Sequence, residues 1–459
     1  MKQIALRIIL QILILIVLPA CSTKTSVVPT GMQDDIFRPD KKQIAREVAK
    51  GYEAPPILHA KNILSRNLIK SSLYEVQDTV YNDGFLNHYT IKTEWGDFYA
   101  GGTQKLKVRL NEIIAIDALK KISTREAVVT SAKQSGKAII MAPIKTVKTV
   151  GTAILNPAAT AKTVISIPLG IVDFFKGAST KVSSKIDDAK EELDELDEKD
   201  TSDSNIREKI IDAGTSYAKD FTGYNKQVNE IEKHFGLDPD SDNEVLRDEI
   251  ERVAGIKTSV SFSTILIPKI PMISAISQTS SIIKRVNKIS VYQNKIIQAQ
   301  KVHKKLLEIG IDEETIRRFQ RSSKLTSSMK TKITNNVLFL DHVENRIEII
   351  RTATSLQDYE SAWVYLQIIE ALPALHEQNR FVRVLSGFPT FVTASGKAII
   401  PFPTDYLFWT ETLATIINNI EKRIKKDRTI TSVEVRVSGK ISSRVSKELK
   451  KRGIIIRSL

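Results

Sequence analysis

A single cysteine, Cys21, stands in a chain of 459 residues. No disulfide framework can form inside such a chain, so its stability must come from packed apolar cores. Histidine is scarce too: the six, at 59, 88, 234, 303, 342 and 376, share no helical face and no metal-ligand spacing, and they read as incidental. There is no glycine-rich phosphate loop, no HExxH pair and no cysteine nucleophile set among partners. Ser281-Ile-Ile-Lys284 and Ser327-Ser-Met-Lys330 fit the Ser-x-x-Lys pattern of serine acylating enzymes. The one Ser-Asp-Asn, Ser241-Asp242-Asn243, precedes both, and Lys-Thr-Gly is absent, so neither copy is completed. Trp363, Trp409 and their aromatic neighbours read as core anchors. These absences leave no catalytic residue, metal site or cofactor to expect.

What is present begins at the N-terminus, MKQIALRIILQILILIVLPAC. Lys2 and Arg7 precede an apolar run, Ile8 to Leu18, broken only by Gln11. That layout is a secretory signal, and the run is short of the roughly 20 residues of a membrane span. Its ending resembles the bacterial lipobox, with Leu18 at −3, Ala20 at −1 and Cys21 at +1, and with Pro19 departing from the pattern at −2. The resemblance implies a lipid-modified Cys21 that holds the mature chain at a membrane. Acyl chains at about 0.8 kcal/mol per buried CH₂ anchor firmly once two or more are present. Ser22 at +2 favours the outer membrane, facing the periplasm, in a Gram-negative cell. A plain secretory signal and an uncleaved anchor are the competing readings.

Charge is one-sided. Lysine and arginine total 68 against 53 acidic residues, a net +15. The segment from Asp187 to Asp203 alone carries −8, so the rest of the chain carries +23. A field of that sign favours anionic partners such as phospholipid head groups. Nucleic acid is not expected for an exported chain, and solubility alone is the competing reading of the charge.

In chain order, residues 22–40 read as a tether and Lys41 to Lys50 as a short helix. Asn82-Asp83-Gly84 between two β-rich runs predicts a hairpin, with a third strand at Phe98 to Ala100. From Thr103 to Ile122 an apolar stripe of helical period predicts a helix over that meander. Residues 138–176 contain two halves related by a 14-residue offset, Pro143 with Pro157 and Lys148 with Lys162 among the identical pairs. They read as Pro-broken apolar helices that pack on a core or lie at a membrane surface. Residues 187–205 are an acidic linker and the best domain boundary. Beyond it come a helical body at 206–379, with a basic helix from Ser277 to Lys305 and further helices at Lys332 to Ala353 and Gln357 to Gln378. After Arg380 the period returns to two: a strand at 381–385, a hairpin across Ala394-Ser395-Gly396, a helix from Tyr406 to Ile424, and a β-α-β ending. The expected fold is therefore α+β. It comprises an N-terminal hairpin and meander module (41–186), a large helical middle (206–379) and a small mixed C-terminal sheet (380–459).

Asp238, Asp240, Asp242 and Glu249 match positions 1, 3, 5 and 12 of an EF-hand loop, but Pro239, Asn243 and Leu246 depart from it. The segment is either a calcium loop or a joint in which Asp242 or Asn243 caps the following helix. The same region carries a resemblance. Gly223-Tyr224, Leu237-Asp238-Pro239, Asn243 and Val245-Leu246-Arg247 are similar to a segment of an uncharacterised family of exported bacterial proteins. Asp83-Gly84-Phe85, Pro403, Asp405-Tyr406, Trp409 and Ser438-Gly439 resemble that group as well. The resemblance implies a shared fold over most of the mature chain and no assigned activity. In that group the acidic residues after Asp-Pro are replaceable, which counts against calcium.

The expected protein is thus a lipid-anchored, non-enzymatic component of the bacterial envelope. It would bind an anionic membrane surface or a protein partner, with the basic helix as contact surface. The alternative is an envelope hydrolase whose site is assembled from residues distant in sequence.

Overall fold

The computed structural model describes residues 41–122, 225–259, 273 and 289–459. The signal and tether, the Pro-broken helices at 138–176, the acidic linker at 187–205 and most of the basic helix ahead of Ile289 lie outside them.

In chain order, helix α1 (Lys41–Ala49) is stopped by Gly51, whose φ is +83°. Then come β1 (Leu58–His59), α2 (Ala60–Ile63), α3 (Arg66–Ile69), β2 (Glu75–Val76), β3 (Thr79–Asn82), β4 (Asn87–Thr93), β5 (Gly96–Gly101) and α4 (Thr103–Lys120). The middle holds α5 (225–235), α6 (Glu244–Ser259), α7 (Lys295–Glu308), α8 (Glu313–Arg321), α9 (Ser327–Phe339), α10 (Ile347–Thr354) and α11 (Tyr359–Asn379). The end of the chain gives β6 (Phe381–Leu385), β7 (Thr390–Thr393), β8 (Lys397–Phe402), β9 (Tyr406–Leu407) and α12 (Glu411–Ile424). It closes with β10 (Ser432–Val437), β11 (Lys440–Ile441), α13 (Ser443–Lys451) and β12 (Ile454–Ser458). Among the described residues the class is α+β, as the sequence predicts.

Contacts divide the chain differently from the linear succession of segments. One unit takes the described residues up to Ile113, Ile273 and everything from Lys332 onward; the other takes 114–122, 225–259 and 289–331. The N-terminal meander and the C-terminal sheet therefore belong to one unit. Its first sheet is antiparallel, ordered β1-β3-β4-β2 with β5 also paired to β4. Val76, Val80, Tyr89 and Ile91 pack there against Leu106, Leu110 and Ile113 of α4. Its second sheet, β12-β10-β8-β7-β6, is mixed: β12, β10 and β8 are parallel and β7 and β6 antiparallel. Val435, Val437, Ile400 and Phe402 of that sheet meet Leu413, Ile417 and Ile420 of α12 and Val445 and Leu449 of α13. The parallel β10-α13-β12 crossover is the predicted ending, opened by Ser442, whose Oγ accepts the Val445 N–H at 3.1 Å.

Three helix boundaries differ from expectation. Ile289 to Asn294 is not helical, because Ser290 Oγ accepts the Tyr292 N–H and Gln298 Nε2 donates to the Ser290 and Val291 carbonyls; the helix starts at Lys295. The helix expected over Lys332 to Ala353 is two, α9 and α10. Between them Glu344 leaves the helical path to exchange backbone hydrogen bonds with Val382 and Val384 of β6. Tyr406 and Leu407 form a strand rather than a first helical turn, paired in parallel with Lys440 and Ile441, and Thr410 caps α12 four residues later.

In the second unit, Ile231 and Phe235 of α5, Leu246 and Val253 of α6, Leu306 of α7, and Ile316 and Phe319 of α8 are buried. Arg252 of α6 donates to the carbonyls of Leu119 (2.6 Å) and Ile122 (3.0 Å).

Candidate functional site

Among the described residues of the first unit, buried titratable side chains gather around the tip of the β3–β4 hairpin. Asn82 Oδ1 accepts the Gly84 N–H at 2.7 Å, and Asp83 Oδ1 accepts the N–H groups of Phe85 and Leu86 at 2.8 Å each. These Asx-type bonds hold the four-residue tip in one conformation. Gly84 adopts φ +101°, and a β-carbon there would lie 2.7 Å from Thr410 Cγ2. Only glycine meets both demands. The tip then receives a second segment: Phe408 N–H donates to the Gly84 carbonyl, and Asp405 and Tyr406 N–H donate to that of Phe85.

Asp405 is the hub. Its carboxylate accepts the Asn87 N–H at 2.9 Å and the Thr103 N–H, the first of α4, at 3.0 and 3.1 Å. An acceptor at that position satisfies an otherwise orphaned helix donor. Burial pushes the Asp405 carboxyl above its ordinary value, and the donated N–H groups pull against that rise. A β-carbon on Gly439 would strike the carbonyl oxygens of Thr404 and Asp405, and Ser438 Oγ donates to the Thr404 carbonyl at 2.7 Å. Asn82, Asn87, Tyr89 and Thr103 continue the network, each bonded to the next by its side chain at 2.8–3.1 Å.

Beside the hub, His88 Nε2 lies 2.9 Å from Asp83 Oδ2, with only 11% of the imidazole side chain exposed. Burial is the largest influence on His88 and pushes it down. The hydrogen bond and charge of Asp83, with Glu360 and Asp405 behind, outweigh burial and leave the imidazole above its ordinary value. Asp83 is pushed up by burial, yet His88 and its two amide donors hold it below the usual carboxylate range. The signs give a pH window. The His88 contribution is complete below about pH 6.5 and is lost as pH rises through the elevated folded value, while that of Asp83 is lost as pH falls through its depressed one. A His88→Gln variant should therefore lose more stability relative to the parent at about pH 5 than at about pH 9. Thermal denaturation at the two pH values checks this, and an equal loss at both would contradict it.

His88 itself was not separable by sequence from the other histidines. Of those, His59 pairs with Asp78 and His303 with Glu313, while His376 Nδ1 accepts the Phe381 N–H at 3.1 Å. Three short segments distant in sequence, Asp83-Gly84-Phe85, Asp405-Tyr406 and Ser438-Gly439, meet at this one place.

The Asp238 loop is a joint in the second unit. Asp238 accepts the Asp240 N–H and the Ser328 hydroxyl, and Asp240 accepts the Ser328 N–H and the Lys295 ammonium. Glu249 pairs with Arg252 and Lys120, and Asn243 Oδ1 caps α6 through the Leu246 N–H at 3.1 Å. Asp238, Asp240 and Glu249 thus engage protein donors. Among the described residues no group of three or more His, Cys, Asp or Glu is arranged to hold a metal ion. Of the two Ser-x-x-Lys copies, Ser281 and Lys284 lie outside the described residues. Ser327 and Lys330 open α9, where burial pushes Lys330 down to about 7 and its Nζ donates to the Gln320 carbonyl at 2.7 Å. Glu232, also buried, is pushed up to about 7.

Helix α7 keeps the basic character read from the sequence. Lys301 and Lys304 are exposed on it, as are Ile297 (45%) and Leu307 (44%). Ile297, Lys301 and Lys304 follow i, i+4, i+7 spacing and share one face. Among the described residues no helix is long and apolar enough to cross a membrane.

The chain matches no family model, no curated protein and no solved structure.

Proposed function

We propose that this chain is a lipid-anchored, non-enzymatic protein of the bacterial envelope that lies against an anionic membrane surface. Acyl groups on Cys21 would tether it, at the outer membrane facing the periplasm, and α7 would make the contact. The observation that carries this reading is the outward face of α7, where exposed Ile297 and Leu307 accompany exposed Lys301 and Lys304. Apolar side chains on such a face enter the boundary between head groups and acyl chains, and each lysine gains about 1 kcal/mol from an anionic surface. The Asp83–His88–Asp405 group would serve that surface indirectly, as the joint that fixes the first unit.

Vesicle sedimentation with the Cys21→Ala chain tests the contact apart from the lipid. Vesicles containing phosphatidylglycerol should bind it and purely phosphatidylcholine vesicles should not. The double variant Lys301→Ala/Lys304→Ala should bind about 30-fold more weakly, two lysines at about 1 kcal/mol each. Equal binding to both vesicle types, or an unchanged double variant, would remove α7 as the contact.

A second reading, an envelope hydrolase with a site assembled from distant residues, is favoured by the His88–Asp83 pair, in which a carboxylate orients an imidazole. Under it His88→Gln would abolish turnover; under the first it changes stability alone.

A further inference from the structure

The mixed sheet of the first unit has two edges, and they are finished differently. At β6 the outer edge is closed, because Glu344 exchanges backbone hydrogen bonds with Val382 and Val384. At the other end β12 pairs, among the described residues, only with β10. The Leu459 N–H donates inward to the Val437 carbonyl at 3.0 Å, which fixes the phase of the ladder. In a parallel ladder every second residue turns both backbone groups to the same neighbour. Ile455 and Arg457 therefore bond to β10, and Ile454, Ile456 and Ser458 turn their backbone groups outward. The Ser458 carbonyl receives Arg436 Nη1 at 3.5 Å, so the outward row is centred on Ile456. Such an edge is a template for one more strand. No proline and no register shift interrupts β12, and Ile455 stays 42% exposed on it.

The side chains say which strand. Ile454 and Ile456 lie with Val433, Val435 and Val437 against α12 and α13. Alternation puts Glu434, Arg436, Ile455 and Arg457 on the opposite face, with Lys397 of β8 close by. Glu434 is buried there, and three cations gather on its carboxylate: Arg436 at 2.5 Å, Lys397 at 3.6 Å and Arg457 at 4.0 Å. Three cations against one carboxylate leave this face with positive charge in excess. Arg457 is the outermost, on the edge itself, with 66% of its side chain exposed. Opposite charges across a strand pair stabilise it and like charges destabilise it. A second copy of this chain would bring the same excess of cations to the joint, which disfavours self-pairing.

We propose that the β12 edge takes an extended acidic segment of a partner protein as an added strand. Its backbone pairs with the outward groups of Ile454, Ile456 and Ser458. Its acidic side chains alternate onto the face of Arg457, Arg436 and Lys397, and its apolar ones extend the row of Ile454 and Ile456. The site lies in the first unit and stands whether or not α7 meets a membrane.

The test is calorimetric titration of the full-length chain with the blocked octapeptide Thr-Val-Glu-Val-Glu-Val-Glu-Thr, followed by hydrogen exchange. One control peptide has lysine for each glutamate. The other has an N-methylated backbone, which keeps the charge and removes every pairing N–H. The acidic peptide should bind saturably and each control at least about tenfold more weakly, a step of about 1.4 kcal/mol. The Ile456 amide should exchange more slowly in the complex, whereas contact through charge alone leaves it unchanged. Arg457→Glu should weaken the acidic peptide about tenfold and strengthen the lysine peptide, a reversal that a damaged fold does not give. Absence of saturable binding up to about 1 mM would overturn the proposal. So would a control that binds as tightly as the acidic peptide, or an Ile456 amide that stays unprotected. Dimerisation of the chain that Ile455→Lys abolishes would overturn it too, by placing a second copy on the edge.

Discussion

Asp405→Ala should destabilise the first unit by about 2–5 kcal/mol, because two buried N–H groups lose their acceptor and α4 loses its N-terminal cap. The Asn87 and Thr103 donors have Asp405 oxygens at 2.9–3.1 Å, and the backbone of Asp405 is pinned by the Phe85 carbonyl on one side and the Lys440 N–H on the other. The substitution therefore leaves the backbone joint in place and removes only the side-chain acceptor, so the donors stay buried and unmet. Asp405→Asn keeps one acceptor oxygen at the same place and should cost less than half as much. Since burial already pushes the Asp405 carboxyl up, removal of its charge returns part of what is lost. Chemical denaturation followed by near-ultraviolet circular dichroism reads both. A loss below about 1 kcal/mol for Asp405→Ala would mean that water reaches these donors and that the joint is not dry.

Glu112→Ala carries an effect of similar size for another reason. Arg109 and Glu112 form an ion pair at 2.7 Å whose side chains are only 4% and 2% exposed, and Arg109 Nε also donates to the Tyr99 carbonyl at 3.3 Å. Removal of the carboxylate takes its 2.7 Å ion-pair partner from a guanidinium that cannot deprotonate, in an interior that solvates charge poorly. Breaking a buried pair in this way costs about 3–5 kcal/mol. Replacing both partners, as in Arg109→Met/Glu112→Leu, should recover most of that loss, because the desolvation cost of two charges disappears with their attraction. The full cycle of single and double variants separates the two accounts. A double variant as unstable as Glu112→Ala would show that packing around the pair, and not the loss of one charge of it, sets the cost.

The course of α4 shows what the sequence discloses and what it hides. Leu106, Leu110 and Ile113 announce the buried side by their spacing, and they are fully buried. Lys105, Arg109 and Glu112 fall outside that apolar stripe, yet they are buried as well. Lys105 Nζ lies 4.7 Å over the Trp363 ring and 5.2 Å over that of Tyr359, and donates to Tyr359 Oη at 3.2 Å. The partners that make burial tolerable come from α11, more than 250 residues away, and no local pattern records them. Local chemistry served better at turns and caps. The Asp83-Gly84 tip, Asp312 ahead of α8 and Ser442 ahead of α13 lie where their side chains predict. Tyr406 and Leu407 fit the helical stripe of α12 as well as they fit a strand, and only their pairing with Lys440 and Ile441 decides between the two. For the same reason the hub at Asp405 stood out in the sequence only as part of one of several short, separate segments. Its meaning lies in the contact with Asn87 and Thr103, across some three hundred residues. The lysines of α7 were legible as a basic helix, but the exposed Ile297 and Leu307 beside them depend on which side packs inward.

The central claim, that a lipid on Cys21 holds this chain at an envelope membrane, is tested most directly by the intact mass of the membrane-extracted protein beside its Cys21→Ala variant. The account predicts cleavage immediately before Cys21 with the added mass of acyl chains, and a variant that leaves the membrane fraction at high salt, where the remaining attraction of the α7 lysines is screened. An unmodified Cys21 thiol, or a variant that stays in the membrane fraction as firmly as the parent, would contradict it.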